Sequence, residues 1–290
     1  MPPEVRFLPA SPICAELFQV PVWGFVYPWE ENVSEPDVVR PDGAEEPIEP
    51  LFYPSNRLGF DAPMRWLRLG WHDLVRAKRQ SLAYGIGLVL FGYLVTGLAW
   101  GDGNTLALFT LAVAFILAGP VLAFGLYSVS RQLELGRPPR LGVCWMESRN
   151  HMRNELLFAL VMMVVLLVWA RAATMVNVFF PVGEDPGALG WVEFLAVGSA
   201  VGSIFATIVF SSSVVALPMM LDRGTDAITS ALTSINAVIN NKGVMLLWAL
   251  LIMVLTLVGF ATAYLGFAVI LPLIGHASWH AYRETVVRAD

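Results

Sequence analysis

Three times along this chain a short amphipathic stretch is followed by two long apolar runs. The stretches are Met64 to Gln80, Pro139 to Asn154 and Thr225 to Lys242. A bilayer core about 30 Å thick takes roughly 20 apolar residues at about 1.5 Å rise each. Six runs with almost no charge reach that length: Ser81 to Trp100, Thr105 to Val129, Glu155 to Phe179, Trp191 to Pro218, Gly243 to Ala261 and Ala263 to Tyr282. Only Gly259 and Gly266 punctuate the last two. A single helix through both would be about 60 Å long, twice one crossing, so the chain must reverse there in a very tight turn. The pattern predicts an all-α polytopic membrane protein: six transmembrane helices in three repeated units, each an interfacial amphipathic helix followed by a helical hairpin. Composition agrees, since 57% hydrophobic and 14% charged residues, with a mean hydropathy of +0.64, lie outside the range of soluble domains.

Charge placement checks the count independently. Basic residues concentrate in cytoplasmic loops near span ends. With six spans both termini share one side, which then holds Arg65, Arg68, Arg76, Lys78 and Arg79, followed by Arg131, Arg137, Arg140, Arg149 and Arg153, then Arg223 and Lys242, and finally Arg283 and Arg288. The opposite side shows Asp102, Glu184, Asp185 and Glu193. Five spans would send Arg283 and Arg288 outside, which the rule disfavours. Both termini are therefore expected in the cytoplasm.

Residues 1–57 read as a separate cytoplasmic tail ahead of a membrane domain at 58–290. Through Asp61 the chain carries 11 of its 23 acidic residues against three basic ones. It also holds 11 of the 19 prolines, too many for regular helix. Glu4 and the early prolines exclude a secretory signal. Within this tail the stretch LFQVPVWGFVYPW offers Phe18, Val20, Trp23, Phe25, Tyr27 and Trp29 as a candidate partner-docking patch. A loosely ordered tail whose aromatics fold back on the membrane-domain surface is the simpler reading. Their acidic setting argues for a protein surface over an anionic leaflet.

The interfacial stretches have the pattern of helices lying in the headgroup plane. In the first, Trp66, Leu67, Gly70, Trp71, Leu74 and Val75 recur at helical spacing, with Arg65, Arg68, His72, Asp73, Arg76 and Arg79 expected on the other face. The third, with Ile228, Leu232, Ile235 and Ile239, is far less basic. A stabilising cuff around the bundle and lipid-headgroup binding are the two readings of these helices.

Inside the spans, Arg171 is the sole cation and lies near the outer end of the third run, with Glu193 at similar depth in the fourth. An intramembrane charge is a candidate substrate or ion site, but an Arg snorkelling to the interface or a structural pair with Glu193 is the simpler expectation. Gly198 and Gly202 form a small-xxx-small pair suited to close helix packing. Pro120, Pro218 and Pro272 each fall toward the cytoplasmic half of an even-numbered span, where a kink is expected. His276 and His280, four apart, share a helical face and are the only candidate metal or haem ligands, but they lack a third donor at ligand spacing, so interfacial hydrogen bonding is the simpler reading. Cys14 and Cys144 read as reduced thiols. No phosphate loop, zincin spacing or nucleophile with an adjacent base is present in the sequence, and neither an enzyme, a cofactor nor a nucleic-acid role is expected.

Asp61 to Gly85 (DAPMRWLRLGWHDLVRAKRQSLAYG), Leu117 to Pro139 (LAGPVLAFGLYSVSRQLELGRPP) and Leu271 to Glu284 (LPLIGHASWHAYRE) resemble the bacterial inner-membrane family filed as domain of unknown function 2189. The resemblance runs from about residue 58 onward. It implies a six-span inner-membrane protein, and some relatives are labelled putative cytochrome c oxidase components. The expectation is thus a non-catalytic accessory or assembly subunit of a larger membrane complex, a respiratory oxidase being the favoured partner. A small-molecule, ion or lipid transporter using Asn177, Thr207 and Ser211 to Ser213 is the first rival, and a haem- or metal-binding redox subunit using His276 and His280 the second.

Overall fold

The computed structural model describes residues 51–101, 123–139, 141–179 and 187–287. Among them the regular structure is helical: α1 Ala62–Arg76, α2 Lys78–Gly101, α3 Phe124–Glu134, α4 Leu141–Phe179, α5 Gly187–Ser213, α6 Ala216–Arg223, α7 Ala227–Asn240, α8 Lys242–Ala261 and α9 Phe267–Thr285. Among the described residues three segments stand out as long and apolar enough to cross a membrane: Asn154–Val176 in α4, Leu189–Arg223 through α5 and α6, and Lys242–Ala261 in α8. Leu156, Leu160, Val164 and Leu167 of α4 and Leu246, Leu250, Val254 and Leu257 of α8 point outward. In the most apolar stretch of α4 only 11% is buried, and in α8 only 28%. Such faces are costly against water at about 25 cal/mol per Å² and natural against lipid tails.

The closely packed core sits where α1, α6, α8 and α9 meet. Trp66, Val215, Met219, Met245, Trp248, Trp279 and Tyr282 are fully buried there, with Trp66 and Trp248 edge to face at 5.5 Å. Helix α9 runs against α1, α2 and α3. Two glycines allow this approach. A Cβ on Gly70 would stand 2.7 Å from the backbone nitrogen of Ala277, and one on Gly85 would stand 2.2 Å from the carbonyl oxygen of Ala268. At the far end the α8–α9 reversal is as tight as the sequence requires. It is made by residues 262–266, with Ala263 (φ 49°) and Tyr264 (φ 69°) in the left-handed region. Tyr264 is held there by Phe260, Phe267 and Tyr93 and by a 2.9 Å hydrogen bond with Thr96.

Several expectations are corrected. The second amphipathic stretch, 139–154, is not a separate interfacial helix: α4 runs unbroken from Leu141 to Phe179. It has no breaking residue at the junction, whereas α1 and α7 each stop at one residue of irregular backbone, Ala77 and Asn241. The fourth run does break, but at Val214 and Val215, which puts Pro218 in the first turn of α6. There the missing N–H costs no helical hydrogen bond. On α1, Trp71 and Val75 face outward while Asp73, assigned to the polar face, is buried. The contact α1 makes is with α9, and Gly70 sets its centre.

Residues 53–58 are stitched into the helical unit. Tyr53 N donates to Thr233 Oγ1 (3.0 Å), Leu58 N to Asn241 Oδ1 (2.9 Å) and Asn56 N to Thr285 O (2.8 Å), and Ser55 and Val286 form an antiparallel bridge. By contacts the chain divides into Met1–Ile48 and Glu49–Asp290. The aromatic patch from Phe18 to Trp29, Pro120, Arg140 and both hairpin loops bearing Asp102, Glu184 and Asp185 lie outside the described residues.

Candidate functional site

The second half of α9 carries polar side chains into the protein rather than out of it. His276 has no accessible surface, nor has Ser81 of α2, and Ser130 of α3 has almost none. Ser130 Oγ donates to Asp73 Oδ2 of α1 at 2.9 Å. A hydroxyl has one proton to give, so Ser130 Oγ must accept from His276 Nδ1, 2.7 Å away. With Nδ1 carrying the hydrogen, Nε2 of the neutral ring accepts from Ser81 Oγ at 2.9 Å. His280 Nε2, one turn further along α9, also reaches Asp73 Oδ2 at 2.9 Å. The result is a directed chain through four helices, Ser81 to His276 to Ser130 to Asp73, with His280 closing it from the protein surface.

Asp73 is the terminal acceptor of this chain. Burial pushes its carboxyl up, but hydrogen bonding and charge from His280, then the bond from Ser130, outweigh burial and hold it below the usual carboxylate range. The carboxylate side chain is 8% exposed and His280 20%. Ser81 and His276 have the separation of a nucleophile and its base, but both are sealed in the core, where the bond ties α2 to α9. His276 has both ring nitrogens engaged by serines.

A second polar cluster lies nearby on α9. Asp222, at the end of α6, accepts from Tyr282 Oη at 2.7 Å and Arg283 Nη1 at 2.8 Å, and lies 3.5 Å from Arg131 Nε. Glu134 of α3 takes Trp279 Nε1 at 2.9 Å and Arg283 Nη2 at 2.8 Å. Arg223 bonds Tyr282 Oη and Val287 O and stacks over Tyr53, 4.9 Å from its ring centroid. On the opposite side of α9, Glu284 accepts from Trp66 Nε1 at 2.8 Å and pairs with Arg65, which also pairs with Asp61. Basic groups from α1, α3, α6 and α9 therefore gather at one end of the bundle.

The other sequence candidates stand apart. Arg171 and Glu193 are exposed on α4 and α5, and among the described residues no ion pair joins them. Gly198 and Gly202 have nothing within 4 Å of where a Cβ would stand. Thr207, Ser211, Ser212 and Ser213 turn their hydroxyls onto the carbonyls of their own helix, at 2.6 to 2.7 Å. Among the described residues no group of three His, Cys, Asp or Glu is arranged to hold a metal ion. Asp73, Ser81, Ser130, Glu134 and Asp222 were not singled out by sequence reasoning. A usable signal existed: Gly70 and Gly85 mark where α1 and α2 approach α9, Gly275 marks where α9 approaches Leu126 of α3, and Asp73, Ser81 and His276 stand near them in sequence.

Outward apolar helices clamped at one end by a buried polar seam define a polytopic helical membrane protein. The model of the family described as "Predicted integral membrane protein (DUF2189)" matches residues 108–222, and this is the family identified from the motifs. Of the three stretches that carried the resemblance, Leu117 to Pro139 lies inside the match, while the α1 and α9 stretches lie outside it. No curated protein and no solved structure matches the chain.

Proposed function

We propose that this chain is a non-catalytic six-span subunit of a bacterial inner-membrane complex, with three repeated units and both termini cytoplasmic, that assembles with other membrane proteins through α5. The observation that carries the reading is the face at Gly198 and Gly202, where no neighbouring helix among the described residues comes within 4 Å of either Cβ position. Ser199, Ser203 and Ala206 extend this face and are exposed. Small residues let a second helix backbone approach closely, and lipid tails fill such a face poorly. The polar side chains of the α9 seam are spent on one another, which supports an assembly role over a substrate site. Thr207 and Ser211 to Ser213, the hydroxyls a transporter would need for a polar path, are turned onto their own helix. The partner to which the resemblance points is a respiratory oxidase.

The test is a mild-detergent purification of the tagged full chain beside Gly198→Leu/Gly202→Leu, with mass spectrometry and an optical spectrum of each. Oxidase subunits recovered with the parent protein and lost with the variant support the reading. A homo-oligomer free of partners and of haem absorbance overturns it.

A further inference from the structure

Between Ala62 and Gly101 the sequence has five basic residues and one acidic residue, Asp73. That acid is buried and committed to Ser130 and His280, and Arg65 is committed to Asp61 and Glu284. Arg68, Arg76, Lys78 and Arg79 are exposed, and among the described residues none of them forms an ion pair. Three of these four crowd around the break at Ala77, where α1 ends and α2 begins. A second segment adds to them: Gln80 Nε2 donates to Pro139 O at 2.7 Å, which holds the loop carrying exposed Arg137 against the first turn of α2. Trp71 and Val75, 52% and 40% exposed, stand on the last turns of α1 beside this cluster.

After Arg79, α2 has no further charge through its 24 residues, about 36 Å of helix. If α2 is the first span, as the sequence pattern predicts, the break stands where an apolar helix leaves the bilayer, at the depth of headgroup phosphates. We propose that Arg76, Lys78, Arg79 and Arg137 form a binding surface for the phosphodiester headgroups of anionic glycerophospholipids, with Trp71 and Val75 entering the acyl boundary. Charge complementarity selects the ligand: four cations without an ion pair among the described residues, two tethered segments and an adjoining tryptophan match an anionic headgroup and its interface. The proposal rests on the chain being a membrane protein, and recovery of the protein only from detergent-extracted membranes establishes that part separately.

The experiment uses the delipidated full chain in a neutral detergent, titrated with phosphatidylglycerol or phosphatidylcholine and read by native mass spectrometry. At the size each juxtamembrane basic residue contributes, the cluster predicts at least about tenfold preference for phosphatidylglycerol. Arg76→Gln/Lys78→Gln/Arg79→Gln/Arg137→Gln should abolish it, while Arg76→Lys/Arg79→Lys/Arg137→Lys and Arg171→Gln should keep it. Unchanged preference in the glutamine variant overturns the proposal. So does displacement of the lipid by millimolar inorganic phosphate, which marks a free-anion site. A preference that emerges only after residues 1–48 are removed also overturns it, because the acidic tail is then the occupant.

Discussion

Helices α1 and α7 hold corresponding places ahead of α2 and α8, and they are fastened by different chemistry. Helix α1 has no side-chain cap at its start and is fixed from the side, by Trp66, Gly70 and Asp73 against α9. Its remaining surface mixes basic side chains with exposed apolar ones, Trp71 and Val75 among them. Helix α7 is capped by Asp226, whose carboxylate accepts from Ile228 N at 2.9 Å and Thr229 N at 3.0 Å, and it buries hydroxyls rather than charges. Thr233 Oγ1 takes the backbone N–H of Tyr53, and Ser234 Oγ takes that of Val215 at the α5–α6 break. One copy of the pattern thus aligns helices through side chains, and the other satisfies the backbone of irregular neighbours.

The comparison breaks most readily at Gly70. Valine there pushes a branched side chain into the backbone of Ala277, and α1 cannot retreat without losing Trp66 from the core. We expect Gly70→Val to cost about 3 kcal/mol, seen as a lower thermal transition of the purified protein in detergent. Asp73→Ala comes next. It strips Ser130 and His280 of their acceptor and should cost about 2 kcal/mol. The pH dependence sharpens the point. Because the folded carboxyl lies below its unfolded value, the stabilisation is fully present above about pH 4 and is lost as pH falls through the folded value. Melting temperatures recorded between pH 6 and 3 should therefore fall more steeply for the parent protein than for Asp73→Asn.

Much of this architecture was legible in the sequence. Length and charge placed α2, α8 and the tight α8–α9 reversal, and spacing placed α1 and α7. What escaped was the use of polar residues. Asp73 sits between His72 and Arg76, so periodicity grouped it with the wet face. Its burial depends on His280 and Ser130, each far away in sequence, and no local pattern encodes that meeting. Spacing grouped Trp71 and Val75 with Trp66 and Leu74 on one face, yet Trp66 and Leu74 are buried while Trp71 and Val75 are exposed, and Gly70, which contributes no side chain at all, marks the buried direction. The continuity of α4 was missed for the opposite reason. Polarity alone suggested a separate interfacial helix, but polarity does not break a helix where propensity and backbone geometry allow it to continue.

On α7 the expected effects are smaller because the groups at stake are neutral or near the surface. Ser234→Ala leaves the N–H of buried Val215 without its partner, and we expect a loss of about 1 to 2 kcal/mol, with proteolysis at the α5–α6 break as a local readout. Thr233→Ala should act less, since Tyr53 is only partly buried.

The smallest effect belongs to the cap. Asp226→Ala removes the carboxylate oxygen that accepts from both N–H groups in the first turn of α7 and should cost about 1 kcal/mol, measured as a modest fall in the same thermal transition. Asp226→Asn separates hydrogen bonding from charge: asparagine caps nearly as well, so what remains is the interaction with the helix dipole, worth about 0.3 to 1 kcal/mol at low ionic strength. Added salt should erase that remainder. No equivalent experiment exists at the start of α1, where Asp61 makes no capping bond and pairs with Arg65 instead. Asp61→Asn should accordingly leave the transition almost unmoved, which would place the anchorage of α1 along its flank and that of α7 partly at its tip.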